Sequence, residues 1–136
     1  RDSAKGRDLA ANPRAAAVFW WEGTNRQVRV SGAVAPVDDA ESDAYWASRP
    51  VGHQLAARAS AQGEPVDDRP SLEAQVEAMR SRFGPDGPVP RPPSWGGYRL
   101  TAEVVELWES REDRLHDRIE YQRRPDGGWD RRRLQP

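Results

Sequence analysis

The segment Arg14 to Trp21, RAAAVFWW, places the tightest local constraint on this chain. It lies between a breaker, Asn12-Pro13, and turn chemistry, Glu22-Gly23-Thr24-Asn25. A run this short and apolar, ending in aromatic residues, predicts a largely buried strand. The next segment, Arg26 to Val34 (RQVRVSGAV), alternates polar and apolar residues and predicts a second strand. The two form an antiparallel hairpin with Gln27, Arg29 and Ser31 on one face.

The flanking punctuation places the other elements. Ser3 is the N-cap of a short helix, Ala4 to Ala11, stopped by Asn12-Pro13. Asp38 caps a helix from Asp39 to about Ala47, Ser48-Arg49-Pro50 breaks it, and Val51 to Ser60 forms another. After a polar loop, Ser71 caps a helix whose stripe of Leu72, Val76, Met79 and Phe83 reads as core packing. Gly84 to Pro93 is a proline-rich loop. Gly96 to Leu100, Val104 to Trp108 and Arg118 to Arg123 read as strands, and Pro125 to Gly128 is a hairpin turn before a last strand, Trp129 to Leu134. Strands at both ends with helices grouped between them predict an α+β barrel or sheet.

Composition narrows the function classes. At 136 residues the chain is one domain by length. With no cysteine there is neither a disulfide framework nor a thiolate metal site nor a cysteine nucleophile. Basic and acidic residues number 21 and 22, so the net charge of -1 offers no general attraction to nucleic acid or an anionic membrane. No apolar run approaches the roughly 20 residues of a bilayer span, and a cytoplasmic protein is expected. Six tryptophans argue against disorder. Lys5 is the sole lysine among 21 basic residues, which suggests GC-rich coding and gives arginine counts little weight. Two histidines without cysteine argue against a zinc site, and no Rossmann or P-loop motif is present. The chain opens at Arg1 without methionine, so a preceding segment is expected.

Three clusters carry candidate chemistry, each with two readings open. If Arg114-Leu115-His116-Asp117-Arg118 is a strand, residues 114, 116 and 118 share a face. Two arginines flanking a histidine there call for an anionic or aromatic partner; a solvated edge strand served by Glu112, Asp113 and Asp117 is the other reading. Tyr45 and Arg49, four apart at a helix end, suit a phosphate grip because arginine offers phosphate a bidentate fork. An aromatic ring packed beneath an arginine stem accounts for the same pair, and His53 is either an added donor or a surface histidine. Lys5 sits at a helix N-terminus that favours an anion, or is an exposed lysine beside a serine cap.

Taken in order, SAKGRDLAANPRAA, RQVRVSGAV, YWASRP with HQLAARASAQ, WGGYRL, VELWESREDRLHDR and WDRRRLQP resemble the pyridoxamine 5'-phosphate oxidase family over nearly the whole chain. The resemblance implies an α+β fold, an antiparallel FMN-binding split β-barrel with peripheral helices. Residues 1–136 would form a single such domain lacking its N-terminal strands. It further implies a homodimer with FMN at the subunit interface, and oxidation of pyridoxamine or pyridoxine 5'-phosphate to pyridoxal 5'-phosphate with O2 reduced to H2O2. By position, FMN contacts would fall on Ala4, Lys5, Gln27, Gln62, Gly63, Trp108 and Arg118. Substrate contacts would fall on Tyr45, Arg49 and His53 for the phosphate, and on Arg114 and His116 for the ring, the last two being the catalytic pair.

The chain departs from the family pattern at several of these positions. Ala4 stands where the family has arginine, His53 and Gly63 where it has serine, and ELWES where it has EFWQG. These departures keep two alternatives in view. One is a related flavin oxidase of secondary metabolism, similar to those of phenazine biosynthesis and acting on an aromatic acid. The other is a non-catalytic flavin-binding protein.

Overall fold

The computed structural model describes residues 2–136. Four helices, α1 (Ala4–Ala11), α2 (Asp39–Ser48), α3 (Val51–Ala59) and α4 (Arg69–Phe83), accompany five strands. The strands β1 (Arg14–Trp21), β2 (Arg26–Pro36), β3 (Tyr98–Glu109), β4 (Asp117–Arg123) and β5 (Trp129–Arg133) make one sheet in the order β1-β2-β3-β4-β5. This is the expected α+β architecture. The chain divides into two compact units: residues up to Ala11 with Pro36–Tyr98, and Asn12–Ala35 with Arg99–Pro136. They are called the helical unit and the sheet unit. No helix among the described residues is long and apolar enough to cross a membrane.

In the helical unit, local chemistry sets the boundaries. Ser3 Oγ accepts from the Gly6 N–H at 3.3 Å, and Asp38 accepts from the Glu41 N–H at 2.7 Å. The cap of α4 is Asp68 rather than Ser71: the Asp68 carboxylate accepts from the Ser71 N–H at 2.7 Å. Pro70 explains the shift, since its fixed φ and missing N–H suit the first helical turn. Trp46, Leu55 and Val89 form the buried core, with Val76, Met79 and Phe83 packed against it. Three members of the α4 stripe thus do the packing assigned to them, while Leu72 lines a cavity.

The loop between α4 and β3 holds Pro85, Pro88, Pro90, Pro92 and Pro93. Each proline removes a backbone donor, so the loop's carbonyls look elsewhere for partners. Trp46 Nε1 donates to the Val89 carbonyl at 2.7 Å, Arg58 to that of Pro90 at 2.8 Å and Arg91 to that of Trp95 at 2.6 Å.

In the sheet unit, β1 and β2 pair antiparallel with Trp20 opposite Gln27, and β3 and β4 pair with Trp108 opposite Arg118. Asn25 closes the first hairpin at φ 49°, a left-handed conformation that asparagine tolerates. Gly32 lies where β2 and β3 approach so closely that a Cβ would collide with the Thr101 carbonyl oxygen.

Three expectations change here. The RAAAVFWW strand is not largely buried: Val18, Phe19, Trp20 and Trp21 are 50–59% exposed. β1 is the edge of the sheet with β2 as its one neighbour in the strand order, and no other element among the described residues buries these side chains. Residues 96–108 do not form two strands, because Thr101-Ala102-Glu103 continues β3 without a break. The third correction concerns Arg114. It sits in a 3-10 turn, Glu112–Arg114, and β4 begins only at Asp117, so 114, 116 and 118 do not share a strand face.

Candidate functional site

The residues singled out in the sequence gather at two places, one in each unit. In the helical unit a cavity of about 1050 Å³ is lined by Lys5, Arg49, His53, Gln62 and Gly63, together with Trp95. This is at the upper end of the size range of small-molecule sites. Asp2 and Glu64 also line it, so the lining is mixed in charge. Ala4 does not line it and is exposed at the start of α1.

Arg49 is held on two aromatic rings in that cavity. It follows α2 directly, its guanidinium carbon 5.2 Å from the Trp95 ring centroid and 5.7 Å from that of Trp46. Its Nη1 is buried and has no hydrogen-bond partner among the described residues. Leaving a buried donor unpaired costs on the order of 1–3 kcal/mol, which an oxyanion in the cavity would recover. Tyr45 does not line the cavity; it is 65% exposed and stacks on Trp95 at 5.9 Å. The structure thus places Tyr45 in the aromatic packing, and Arg49 alone of the pair brings a guanidinium with donor capacity to spare into the cavity.

Gly63 has φ +90° with open space around its α-carbon, so a serine there would be strained by the backbone rather than by neighbours. This backbone suits the departure from serine at that position.

In the sheet unit, Gln27 shares a face with Trp20, and Arg118 shares a face with Trp108, because paired residues project to the same side. The Trp20 and Trp108 rings lie 6.0 Å apart, so all four occupy one side of the sheet. The His116 ring stands 4.8 Å from Trp108. Its Nδ1 accepts from the Arg111 N–H at 3.2 Å, which leaves Nε2 as the donor of the neutral ring.

Arg118 already holds partners on this face. Its Nε and Nη2 donate to Glu106 at 2.7 and 3.1 Å, and Nη1 donates to the Gln135 carbonyl at 3.0 Å. The hydrogen bond from Arg118 holds the Glu106 carboxyl below the usual glutamate range against the opposing effect of burial, and Arg29 at 3.6 Å adds to it. Asp117 is likewise held below the usual range, by Arg133 and then Arg111. Arg114 is exposed in the 3-10 turn, where it and Asp113 have φ +61° and +53°. Two successive non-glycine residues in this region cost backbone energy, a pattern concentrated at functional sites.

Trp95, within WGGYRL, and Arg91 are two residues of this region with no role assigned from sequence. The WGGY motif was the available signal for Trp95. Nothing in the chain's pattern marked Arg91.

Comparison with known proteins settles the family. Residues 1–83 match the model described as pyridoxamine 5'-phosphate oxidase. Residues 95–136 match that of the pyridoxine 5'-phosphate oxidase C-terminal dimerisation region. The chain belongs to the pyridoxamine 5'-phosphate oxidase family. It is 58% identical over 134 residues to pyridoxine/pyridoxamine 5'-phosphate oxidase 1 of Ralstonia nicotianae, covering 98% of this chain and 62% of that protein. A relative named pyridoxine/pyridoxamine 5'-phosphate oxidase in Anaeromyxobacter dehalogenans is 52% identical, covering 100% of this chain and 68% of its own length. The chain thus spans somewhat over three-fifths of the length of curated relatives such as the Ralstonia protein, at 62%. Among solved structures, PhzG from Burkholderia lata in complex with tetrahydrophenazine-1-carboxylic acid superposes with a TM-score of 0.88 at 34% identity, covering 98% of this chain and 64% of that one. A pyridoxamine 5'-phosphate oxidase-related, FMN binding protein from Nostoc punctiforme gives 0.76 at 20% identity, covering 98% and 69%, and shares the fold. The split-barrel expectation holds.

Proposed function

We infer that this chain is the greater part of an FMN-dependent oxidase that converts pyridoxamine or pyridoxine 5'-phosphate to pyridoxal 5'-phosphate, with O2 as electron acceptor. The observation that carries the reading is the buried, unpartnered Nη1 of Arg49 in the cavity. A phosphomonoester supplies the oxygen it lacks. His53, four residues beyond Arg49, lines the same cavity and adds a donor to the phosphate grip, while Tyr45 stacks on the Trp95 ring that lies beneath Arg49.

The donor set also fits FMN. Lys5 supplies a cation, Gln62 an amide, and Gly63 a backbone that allows close approach. On the sheet, Trp108 offers an aromatic wall, Gln27 an amide and Arg118 a guanidinium with donor capacity beyond Glu106. Bound FMN would supply the hydride acceptor for the substrate's C4′ carbon. The chain's own residues bind and orient, with Arg114 and His116 meeting the substrate ring and His116 donating from Nε2. A homodimer completes the reading. It is supported by the C-terminal match and by the exposed β1 aromatics, which a second subunit would cover. A cytoplasmic setting and a role in forming pyridoxal phosphate belong to the same proposal.

The PhzG likeness favours a second reading, oxidation of a partly reduced phenazine acid that needs no phosphate grip. Steady-state kinetics of the FMN-saturated protein on both substrate classes separates the two. The expected result is turnover of pyridoxine 5'-phosphate, with Arg49→Ala raising KM about 30-fold or more, the value of a lost charge-assisted contact. Turnover of the phenazine acid alone would favour the second reading, and FMN binding without turnover of either would leave a flavin-binding protein.

A further inference from the structure

We propose that Arg91 is a positioning residue for the phosphate grip: it clasps the Trp95 backbone to α2 and thereby sets the platform on which Arg49 rests. The inference rests on the proposed function and names a residue on which that anion site depends.

Arg91 is the best-engaged side chain of the proline-rich loop. Its side chain is 11% exposed, and each of its three nitrogens has its own acceptor. Nε donates to Asp43 at 2.5 Å, Nη2 to Asp39 at 3.0 Å and Nη1 to the Trp95 carbonyl at 2.6 Å. Asp39 and Asp43 are four apart on α2, so they face the same way and receive one planar fork. The same guanidinium therefore ties the helix that carries Tyr45 and Trp46 to the loop that carries Trp95.

Trp95 is where the consequence falls. Its ring stacks on Tyr45 at 5.9 Å, meets the edge of Trp46 at 4.9 Å and lies 5.2 Å beneath the Arg49 guanidinium carbon. The Arg49 guanidinium rests on the Trp46 and Trp95 rings, and its Nη1 finds no acceptor among the described residues. Its direction is thus set by the aromatic platform. Pro90, Pro92 and Pro93, which flank Arg91 and precede Trp95, leave the loop few backbone donors with which to hold Trp95 by itself. The Trp95 N–H donates to the Pro92 carbonyl at 2.9 Å, a bond that lies wholly inside the loop.

A lysine at position 91 cannot reproduce three divergent contacts, because its ammonium is a compact point charge. Asp43→Asn keeps an oxygen acceptor and serves as the conservative variant. The test uses FMN-saturated protein, inorganic phosphate as the calorimetric probe, and kinetics on pyridoxine 5'-phosphate and pyridoxine. Arg91→Ala and Arg91→Lys should each weaken phosphate binding about tenfold or more, the scale of a displacement near 1 Å at a built site. KM for the phosphorylated substrate should rise by more than kcat falls, and the preference for it over pyridoxine should shrink. Asp43→Asn should stay within about threefold of wild type. General loosening of the fold would instead lower kcat/KM for both substrates alike, and that result would overturn the positioning role. If Arg49→Ala weakens phosphate binding while Arg91→Ala leaves it unchanged, only the role of Arg91 falls. If neither variant changes it, the cavity is not the phosphate site and the proposed function loses its support.

Discussion

Trp46, Leu55 and Val89 in the helical unit are each at most 5% exposed and pack against one another, whereas in the sheet unit Phe19, Trp20 and Trp21 are 50–51% exposed. The deepest side chain of β3 is a carboxylate, Glu106, at 7% exposure. The helical unit therefore holds together chiefly by apolar burial. The sheet relies on its backbone ladder and on arginine–carboxylate pairs: Arg118 and Arg29 on Glu106, Arg14 on Glu103, Arg132 on Glu120 and Arg133 on Asp117. The solvent-exposed pairs among these, such as Arg14 with Glu103, contribute at most about 1 kcal/mol each, whereas Glu106 is buried. Large aromatic side chains left half in water are what an additional surface would cover.

The contrast is open to direct attack. Leu55→Ala, at a position 1% exposed, should cost about 3 kcal/mol in urea unfolding, the usual loss for a buried leucine truncation. A loss under about 1 kcal/mol would show that the helical unit is not held by that core. Glu106→Gln should cost about 2 kcal/mol, since it leaves Arg118 and Arg29 facing a neutral amide. The sign with pH follows from the depressed carboxyl. The Glu106 contribution is present above the ordinary value of 4.5 and is lost as pH falls below it, through the lower folded-state value. The gap in stability between wild type and Glu106→Gln should therefore close on acidification; a gap that widened would reverse the assignment.

Smaller effects sharpen the same contrast. Trp21→Ser should change the stability of dilute protein by about 1 kcal/mol or less, because half of the side chain is already in water. Under the homodimer proposal the same variant should raise the dimer dissociation constant about tenfold in analytical ultracentrifugation, the scale of one interface aromatic. A protein that is monomeric with and without the tryptophan would break that link. Arg132→Ala, which removes a pair whose arginine is 64% exposed, should cost about 0.5 kcal/mol or less.

What could be read from the chain follows the range of the forces involved. The limits of α1 and β1 lie where local punctuation puts them, because Ser3, Asn12-Pro13 and Glu22–Asn25 act within a few residues of themselves. The start of α4 is also local chemistry, but Asp68 and Ser71 are both competent caps and Pro70 decides between them. The exposure of Phe19 and Trp20 was not legible, since it depends on β1 being the edge of the sheet, a fact of topology. The site divides in the same way. Arg49 and His53 sit four apart in sequence and could be paired by eye. The partners of Arg91 are Asp39, Asp43 and Trp95, and only the folded loop brings positions 39 and 91 together.

The turn at Asp113-Arg114 bears on how this chain tolerates change. Both residues have positive φ, at 53° and 61°, where glycine or asparagine would sit with less strain. A library randomised at these two positions and sorted for folding alone should drift toward glycine and asparagine at both. Sorted for turnover instead, it should drift at 113 and hold arginine at 114, if that guanidinium meets the substrate ring. The two selections would then part company at one codon, marking where the demands of the backbone and of the chemistry cease to agree.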